Sequence, residues 1–96
     1  MTSAETTTKM FPLGSDGTLK CAASEIAVNW VFFTTTTKRI SFRNQLLPNE
    51  PGKYTLDGPN LIVNNMTVHD VGEYHCELPD MTHIIIVKLL GTKVFM

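Results

Sequence analysis

Hydrophobic and polar positions alternate over short stretches of this chain, and no segment keeps the 3.6-residue apolar period of an amphipathic helix. The apolar runs are rich in β-branched and aromatic residues, and clusters of Gly, Pro, Asn and Asp separate them. This pattern is typical of an all-β protein. It predicts strands over residues 6–11, 17–23, 26–33, 38–42, 53–56, 60–66, 72–78 and 83–90.

The length of 96 residues predicts a single domain over 1–96. A domain this small often benefits from a covalent staple. The two cysteines, Cys21 and Cys76, lie 55 positions apart, and a bridge across such a loop adds about 4 kcal/mol of stability. Two buried free thiols, as in a cytosolic protein, are the alternative. No Cys-x-x-Cys pair or Cys/His cluster predicts redox or zinc chemistry.

The charge pattern bears on the class of partner. The formal net charge is −1, the pI is about 6.2, and no basic run is longer than Lys38-Arg39. We therefore expect no nucleic-acid partner and no binding to an anionic membrane. The longest apolar run, Ile84–Val87, is too short to span a bilayer, so this segment is not expected to insert into a membrane. No signal peptide opens the chain, so an extracellular location would make it a mature or excised piece of a precursor.

Sequence motifs for catalysis are missing. The chain has no Gly-x-Ser-x-Gly, no His-Glu-x-x-His and no glycine-rich phosphate loop. Asp57 and Asp80 occupy predicted turns, where aspartate is expected for backbone reasons. We expect no enzyme activity, no cofactor and no catalytic residue.

One short motif identifies the fold class. Residues 70–76 read DVGEYHC, which sets Asp70, Gly72, Tyr74 and Cys76 two positions apart, and Trp30 follows Cys21 by nine positions. This Cys, Trp, Cys framework with a tyrosine before the second cysteine resembles the immunoglobulin superfamily over about residues 6–90. The resemblance implies a two-sheet antiparallel sandwich with Greek-key topology. The short cysteine separation favours the intermediate set, and a shortened variable-type domain is second.

The resemblance assigns each framework residue a structural role. The two cysteines join the sheets, and Trp30 packs against their bridge. Tyr74 bonds back to backbone as the tyrosine corner, and Gly72 leaves room for a tight turn between the sheets. In the family Asp70 pairs with a basic residue. The matching position holds Lys53, and Arg43 is a more distant candidate.

Strand parity predicts which side chains point away from the core. With Tyr74 and Cys76 facing inward, His75 and Glu77 face outward. A four-residue loop over 79–82 would return the last strand with Glu73 opposite Lys88, which keeps Ile84 and Ile86 outward. His75 and His83 then lie on opposite faces, so we expect no metal site.

These outward residues gather on the sheet formed by the family's G, F, C and C′ strands. One of Ile40 and Phe42 should join them, and such an apolar patch often marks a protein-binding surface. A one-residue slip in register would invert every face, and the chain's own ends could cover the patch. The predicted partner-binding residues are Val31, Phe33, Ile40, Phe42, His75, Glu77, Ile84 and Ile86.

Function is predicted at the level of a class. The chain is expected to be an extracellular recognition or adhesion module of a cell-surface or secreted receptor, binding a like or an unlike protein, with a homodimer as one form. The alternative is a structural spacer domain of an intracellular muscle or cytoskeletal protein, which the paired cysteines disfavour. The sequon Asn65-Met66-Thr67 also disfavours it, because it predicts a glycan at Asn65 on the opposite sheet or its edge.

Overall fold

The computed structural model describes residues 3–21, 29–43, 45–48, 51–78 and 81–90. These residues form nine strands and one 3₁₀ helix over Val68–Asp70. The strands are β1 (Ser3–Pro12), β2 (Gly17–Leu19), β3 (Asn29–Phe33), β4 (Thr37–Phe42), β5 (Gln45–Leu46), β6 (Tyr54–Asp57), β7 (Asn60–Val63), β8 (Gly72–Glu77) and β9 (Met81–Leu90). Every predicted strand is present, although residues 22–28 of two of them lie outside the described residues.

The strands form two sheets. The larger sheet has the order β1-β9-β8-β3-β4-β5, and the smaller sheet has the order β2-β7-β6. All described strand pairs are antiparallel except β1 with β9, which run parallel from Ser3 opposite Met81 to Pro12 opposite Leu90. In the family's nomenclature β9, β8, β3 and β4 are G, F, C and C′. The two-residue β5 pairs with the end of β4 at the edge of the larger sheet.

The core lies between the sheets and is closed by the predicted disulfide. Cys21 follows β2 of the smaller sheet and Cys76 lies in β8 of the larger one, with 6.0 Å between their Cα atoms. Trp30 pairs with Cys76 across β3 and β8, is fully buried, and donates its indole N–H to the carbonyl of Pro59 at 3.2 Å. The described core residues are Leu19, Cys21, Trp30, Phe32, Ile40, Tyr54, Leu61, Val63, Met66, Tyr74, Cys76, Ile85 and Val87.

The corner before β8 is held by hydrogen bonds around Asp70. The Tyr74 hydroxyl donates to the Asp70 carbonyl at 2.8 Å. The Asp70 carboxylate accepts from Lys53 Nζ at 2.7 Å and from the Thr67 backbone N–H at 2.8 Å. Because Asp70 is 4% exposed, these donors compensate for the water that its carboxylate has lost. Lys53, rather than Arg43, is therefore the residue that pairs with Asp70 in the structure.

Gly72 lies at the corner itself. It is the first residue of β8, one residue after Val71 that ends the 3₁₀ helix, and it lies opposite Val87. Its φ is +155°, and a Cβ atom there would come within 2.8 Å of the Phe32 ring and 2.9 Å of the Thr34 methyl group. A glycine is required because the end of the neighbouring strand β3 and the residue after it lie too close to its Cα for any side chain.

A bulge in β4 corrects the prediction for Ile40. Trp30 pairs with Ser41 and Val31 pairs with Arg39, so Ile40 is an extra residue between them. The bulge turns Ile40 into the core at 2% exposure and leaves Phe42 outside at 46%. The Ser41 hydroxyl accepts from the Trp30 backbone N–H at 3.1 Å, which satisfies a donor at the irregularity. Ile40 therefore cannot be a partner-binding residue on the surface.

The pairing of β8 with β9 differs from the predicted one by two residues. Glu73 lies opposite Ile86 rather than Lys88, and Cys76 lies opposite His83. The connection is tighter than the assumed four-residue loop, because Glu77 still pairs with Thr82 and the Leu78 N–H donates to the Met81 carbonyl at 2.9 Å. A shift of two preserves strand parity, so Ile84 and Ile86 keep the predicted side of the sheet.

Candidate functional site: the outer face of the larger sheet

The side of the larger sheet that points away from the core is called the outer face below. Its register aligns side chains from five strands in rows. One row contains Arg39, Val31, His75, Ile84 and Thr6. The next row contains Thr37, Phe33, Glu73, Ile86 and Thr8. Phe42 and Glu77 complete the outer face at the end of the sheet where β3 begins, because both are level with Asn29.

Val31 is on this side of the sheet but is not accessible, which corrects its predicted role. It is 2% exposed and does not belong to the core cluster between the sheets. Its row neighbours are Arg39 and His75, and the Arg39 guanidinium reaches to within 4.0 Å of the Glu77 carboxylate. Long polar side chains can cover an apolar neighbour with their aliphatic stems. Val31 therefore lies beneath the polar side chains of the outer face, where a partner cannot contact it.

His75 is fixed by two neighbours. Its Nε2 lies 3.1 Å from Glu73 Oε1, and its ring lies 4.2 Å from the Phe33 ring with a 42° tilt. The His75 side chain is 19% exposed, whereas that of Glu73 is 52% exposed. Phe33 and His75 therefore form an aromatic pair, and the Glu73 carboxylate lies beside the His75 ring. The predicted residues Phe33 and His75 thus lie together.

Phe42 lies beside two arginines. The Arg39 guanidinium carbon is 5.6 Å from the ring centroid and that of Arg43 is 5.5 Å away, both within cation–π range. Arg43 has a positive φ of 53°, and its backbone N–H donates to Asn29 Oδ1 at 2.8 Å. The sequence-based prediction missed both arginines. The spacing of Arg39, Phe42 and Arg43 in β4 and just after it was the available signal, but the bulge that brings Phe42 outward was not apparent.

The smaller sheet has a different outward surface. Its central row holds Thr18, Ile62 and Thr55, and the next pair along is Asp57 with Asn60. Ile62 is therefore flanked by exposed threonines. Asn65 follows β7 with φ 54°, is exposed, and receives a hydrogen bond from Lys53 at its carbonyl, 3.1 Å away. The sequon thus lies next to the smaller sheet, away from the outer face.

The histidines do not form a cluster. His69 lies in the 3₁₀ helix, His75 lies on the outer face, and His83 has its Nε2 3.4 Å from Thr7 Oγ1. Within the described ranges, no group of three His, Cys, Asp or Glu side chains could hold a metal ion. In the same part of the chain, no helix is long and apolar enough to cross a membrane.

Comparison with known proteins supports the architecture. No family model matches the sequence, and no curated protein matches it either. Among solved structures, 624 chains match, so the architecture is too common to specify a function. One of them, from a photo-crosslinking study of multimeric cell-adhesive interactions of VGSC beta subunits, is 15% identical with a TM-score of 0.73. That match covers 91% of this chain and 93% of the other. With the disulfide, the buried tryptophan and the tyrosine corner, it shows that the chain has an immunoglobulin-like fold.

Proposed function

We propose that this chain is an extracellular recognition module that binds another protein through the outer face. The observation that carries the proposal is the contrast between the two outward surfaces. Phe33, Ile84 and Ile86 stay partly exposed on the outer face, whereas exposed threonines flank Ile62 on the smaller sheet. Solvent alone favours polar residues on both surfaces. An apolar cluster rimmed by charges fits a protein-binding surface.

The side chains around this cluster have the composition of an interface. Aromatic residues and arginine are enriched where binding energy concentrates. The outer face supplies Phe33, ordered against His75, and Phe42, ordered between Arg39 and Arg43. Side chains that are already held in place lose less freedom when a partner binds.

The setting of the proposed function is the cell surface or a secreted protein. A structural disulfide persists in oxidising compartments and is rare in reducing ones. The similar solved structure described above concerns cell-adhesive interactions, and we extend an adhesion role to this chain as part of the proposal. The partner is a protein, and pairing with a like domain is the form to test first.

The test compares three proteins by sedimentation velocity across micromolar concentrations. They are the wild type, the outer-face variant Phe33→Asp/Ile86→Asp, and the control Thr18→Asp/Thr55→Asp on the smaller sheet. The wild type and the control should associate. The outer-face variant should stay folded by circular dichroism and bind at least about tenfold more weakly, because two charges would be buried without partners.

If all three proteins are monomeric, the same set is displayed on beads and tested for binding to a panel of cell types. Binding that the wild type and the control share, and that the outer-face variant loses, would support an unlike partner. Binding that the outer-face variant retains, or no binding by any of the three, would contradict the proposal.

A glycan at Asn65 belongs to the same proposal. Asn65 is exposed beside the smaller sheet, so a glycan there leaves the outer face accessible. Secretion from mammalian cells should give a protein whose mass falls on treatment with an N-glycosidase, and Asn65→Gln should remove that shift. A wild-type mass that the enzyme does not change would contradict the assignment.

A further inference from the structure

Threonine is concentrated in two runs, which the fold places in different settings. Residues 6–8 lie inside β1, whereas residues 34–37 lead from β3 into β4. All four residues of the second run are exposed. Threonine is favoured in strands, so β1 explains the first run. The second run is unusual, because turn positions ordinarily hold Gly, Pro, Asn, Asp or Ser.

Thr35 and Thr36 form the tip of this turn. Thr37 already belongs to β4. The Thr34 backbone N–H donates to the Thr36 carbonyl at 2.9 Å, and the Thr34 methyl group lies 2.9 Å from the position of a Cβ on Gly72. The turn is therefore held at its base, while the side chains of Thr35 and Thr36 are open to solvent and lie outside the strand ladders.

Other described threonines have partners for their hydroxyl groups or backbone partners in a strand. The Thr67 hydroxyl donates to Asp70 Oδ2 at 3.2 Å, and that of Thr55 accepts from Asn64 Nδ2 at 3.0 Å. Three exposed threonines lie in paired strands: Thr6, Thr8 and Thr18. Enzymes that act on a peptide segment need it free of such pairing, and exposed loop tips with small polar residues are their preferred sites.

We propose that Thr35 and Thr36 are sites of O-linked glycosylation with N-acetylgalactosamine. The threonine Oγ1 forms a bond to the anomeric carbon of a nucleotide-activated N-acetylgalactosamine. The bond from that carbon to the diphosphate breaks, the nucleoside diphosphate leaves with the electron pair, and the hydroxyl proton passes to a base of the transferase. The proposal rests on the extracellular setting that forms part of the proposed function.

Composition and local structure both support this site. Extracellular segments that carry O-linked sugars are rich in serine and threonine, usually with proline. Proline keeps such segments out of regular structure, and in this chain the turn between β3 and β4 has the same effect on Thr35 and Thr36.

The turn lies at the same end of the sandwich as the sequon at Asn65. The Thr34 methyl group lies beside Gly72, the first residue of β8, and the 3₁₀ helix that follows Asn65 leads into that strand. The connection from β8 to β9 lies at the opposite end. Sugars are bulky and hydrophilic, so carbohydrate at both sites would cover one end of the domain and leave the other end bare.

The test uses protein made in bacteria with its disulfide oxidised, so that cellular location has no influence. Purified polypeptide N-acetylgalactosaminyltransferases and UDP-N-acetylgalactosamine are added, and the intact mass is measured. The wild type should gain one or two N-acetylhexosamine units, and fragmentation should assign them to Thr35 or Thr36. Thr35→Val/Thr36→Val should stay folded by circular dichroism and gain none. The matched control Thr6→Val/Thr8→Val should gain as much as the wild type.

Unfolding the acceptor adds a second control. The reduced and alkylated chain should also accept sugar on residues 6–8, because β1 no longer holds them in a ladder. A folded wild type that gains no sugar, or gains it equally on residues 6–8, would overturn the proposal.

Secretion from mammalian cells tests whether the site is used. After N-glycosidase treatment, the secreted wild type should keep a mass excess that Thr35→Val/Thr36→Val lacks. A secreted wild type without that excess would also overturn the proposal. The proposed function fails separately, because its binding test with Phe33→Asp/Ile86→Asp is carried out on protein without carbohydrate.

Discussion

At the scale of single residues, the motif that identifies the fold acts through local geometry. Tyr74 and Asp70 hold the corner through one hydrogen bond of 2.8 Å, and Lys53 neutralises a carboxylate that is nearly buried. The resemblance to the immunoglobulin superfamily implied both contacts, with Lys53 at the matching position and Arg43 as a more distant candidate for Asp70. The residues that crowd Gly72 could not be predicted, because the Phe32 and Thr34 side chains that exclude a Cβ are distant in sequence.

The first prediction concerns Gly72. Gly72→Ala should lower the free energy of unfolding by about 2–3 kcal/mol, because the added methyl meets Phe32 and Thr34 at under 3 Å and the φ of +155° strains the backbone. Gly58→Ala is the matched control, since Gly58 has φ +61° but open space around it, and should cost about 1 kcal/mol. Urea denaturation measures both values. Equal losses would show that close packing against β3 is not what requires the glycine.

At the scale of strands, the faces were predictable but the pairing was not. Alternation along β8 and β9 fixes which residues point inward, and a register shift of two leaves that assignment intact. The shift itself depends on the length of the β8–β9 connection, which the residue pattern does not determine. The residue pattern does not determine the β4 bulge either. Nothing in the run Lys38-Arg39-Ile40-Ser41-Phe42 marks Ile40 as the extra residue, so the sequence did not decide which of Ile40 and Phe42 lies on the outer face.

The second prediction follows from that bulge. Ile40→Asp should unfold the protein or lower its stability by about 3–5 kcal/mol, because it buries an unpaired carboxylate in the core. Phe42→Asp should leave stability within about 1 kcal/mol, because Phe42 is 46% exposed on the other side of the sheet. Thermal melts of the two variants distinguish these outcomes. Similar losses for both substitutions would mean that the bulge does not separate them.

At the scale of the whole molecule, a short chain is stabilised by one covalent link between its sheets. The smaller sheet has only three strands among the described residues, and β2 has three residues. The disulfide therefore links the segment just after the short strand β2 to β8 of the larger sheet. The sequence identified this link from the motif around it, because composition alone left free thiols as an alternative.

The third prediction is the loss of that link. Cys21→Ala/Cys76→Ala should lower the free energy of unfolding by about 4 kcal/mol, since the bridge closes a long loop in the unfolded chain. Urea denaturation of the variant beside the oxidised wild type measures the difference. The reduced wild type should behave like the variant. An unchanged unfolding midpoint would indicate that the bridge adds nothing to the fold.

The parallel pairing of β1 with β9 determines how the domain responds to tension. Ser3 lies beside Met81 and Pro12 lies beside Leu90, so Ser3 and Leu90 are at opposite ends of the ladder. A force that pulls Ser3 and Leu90 apart slides the two strands along each other and loads all their hydrogen bonds together. If the force acted at neighbouring ends of the two strands instead, the same bonds would break one after another at a lower force. A domain built this way would resist unfolding when tension is applied through these two ends of the ladder.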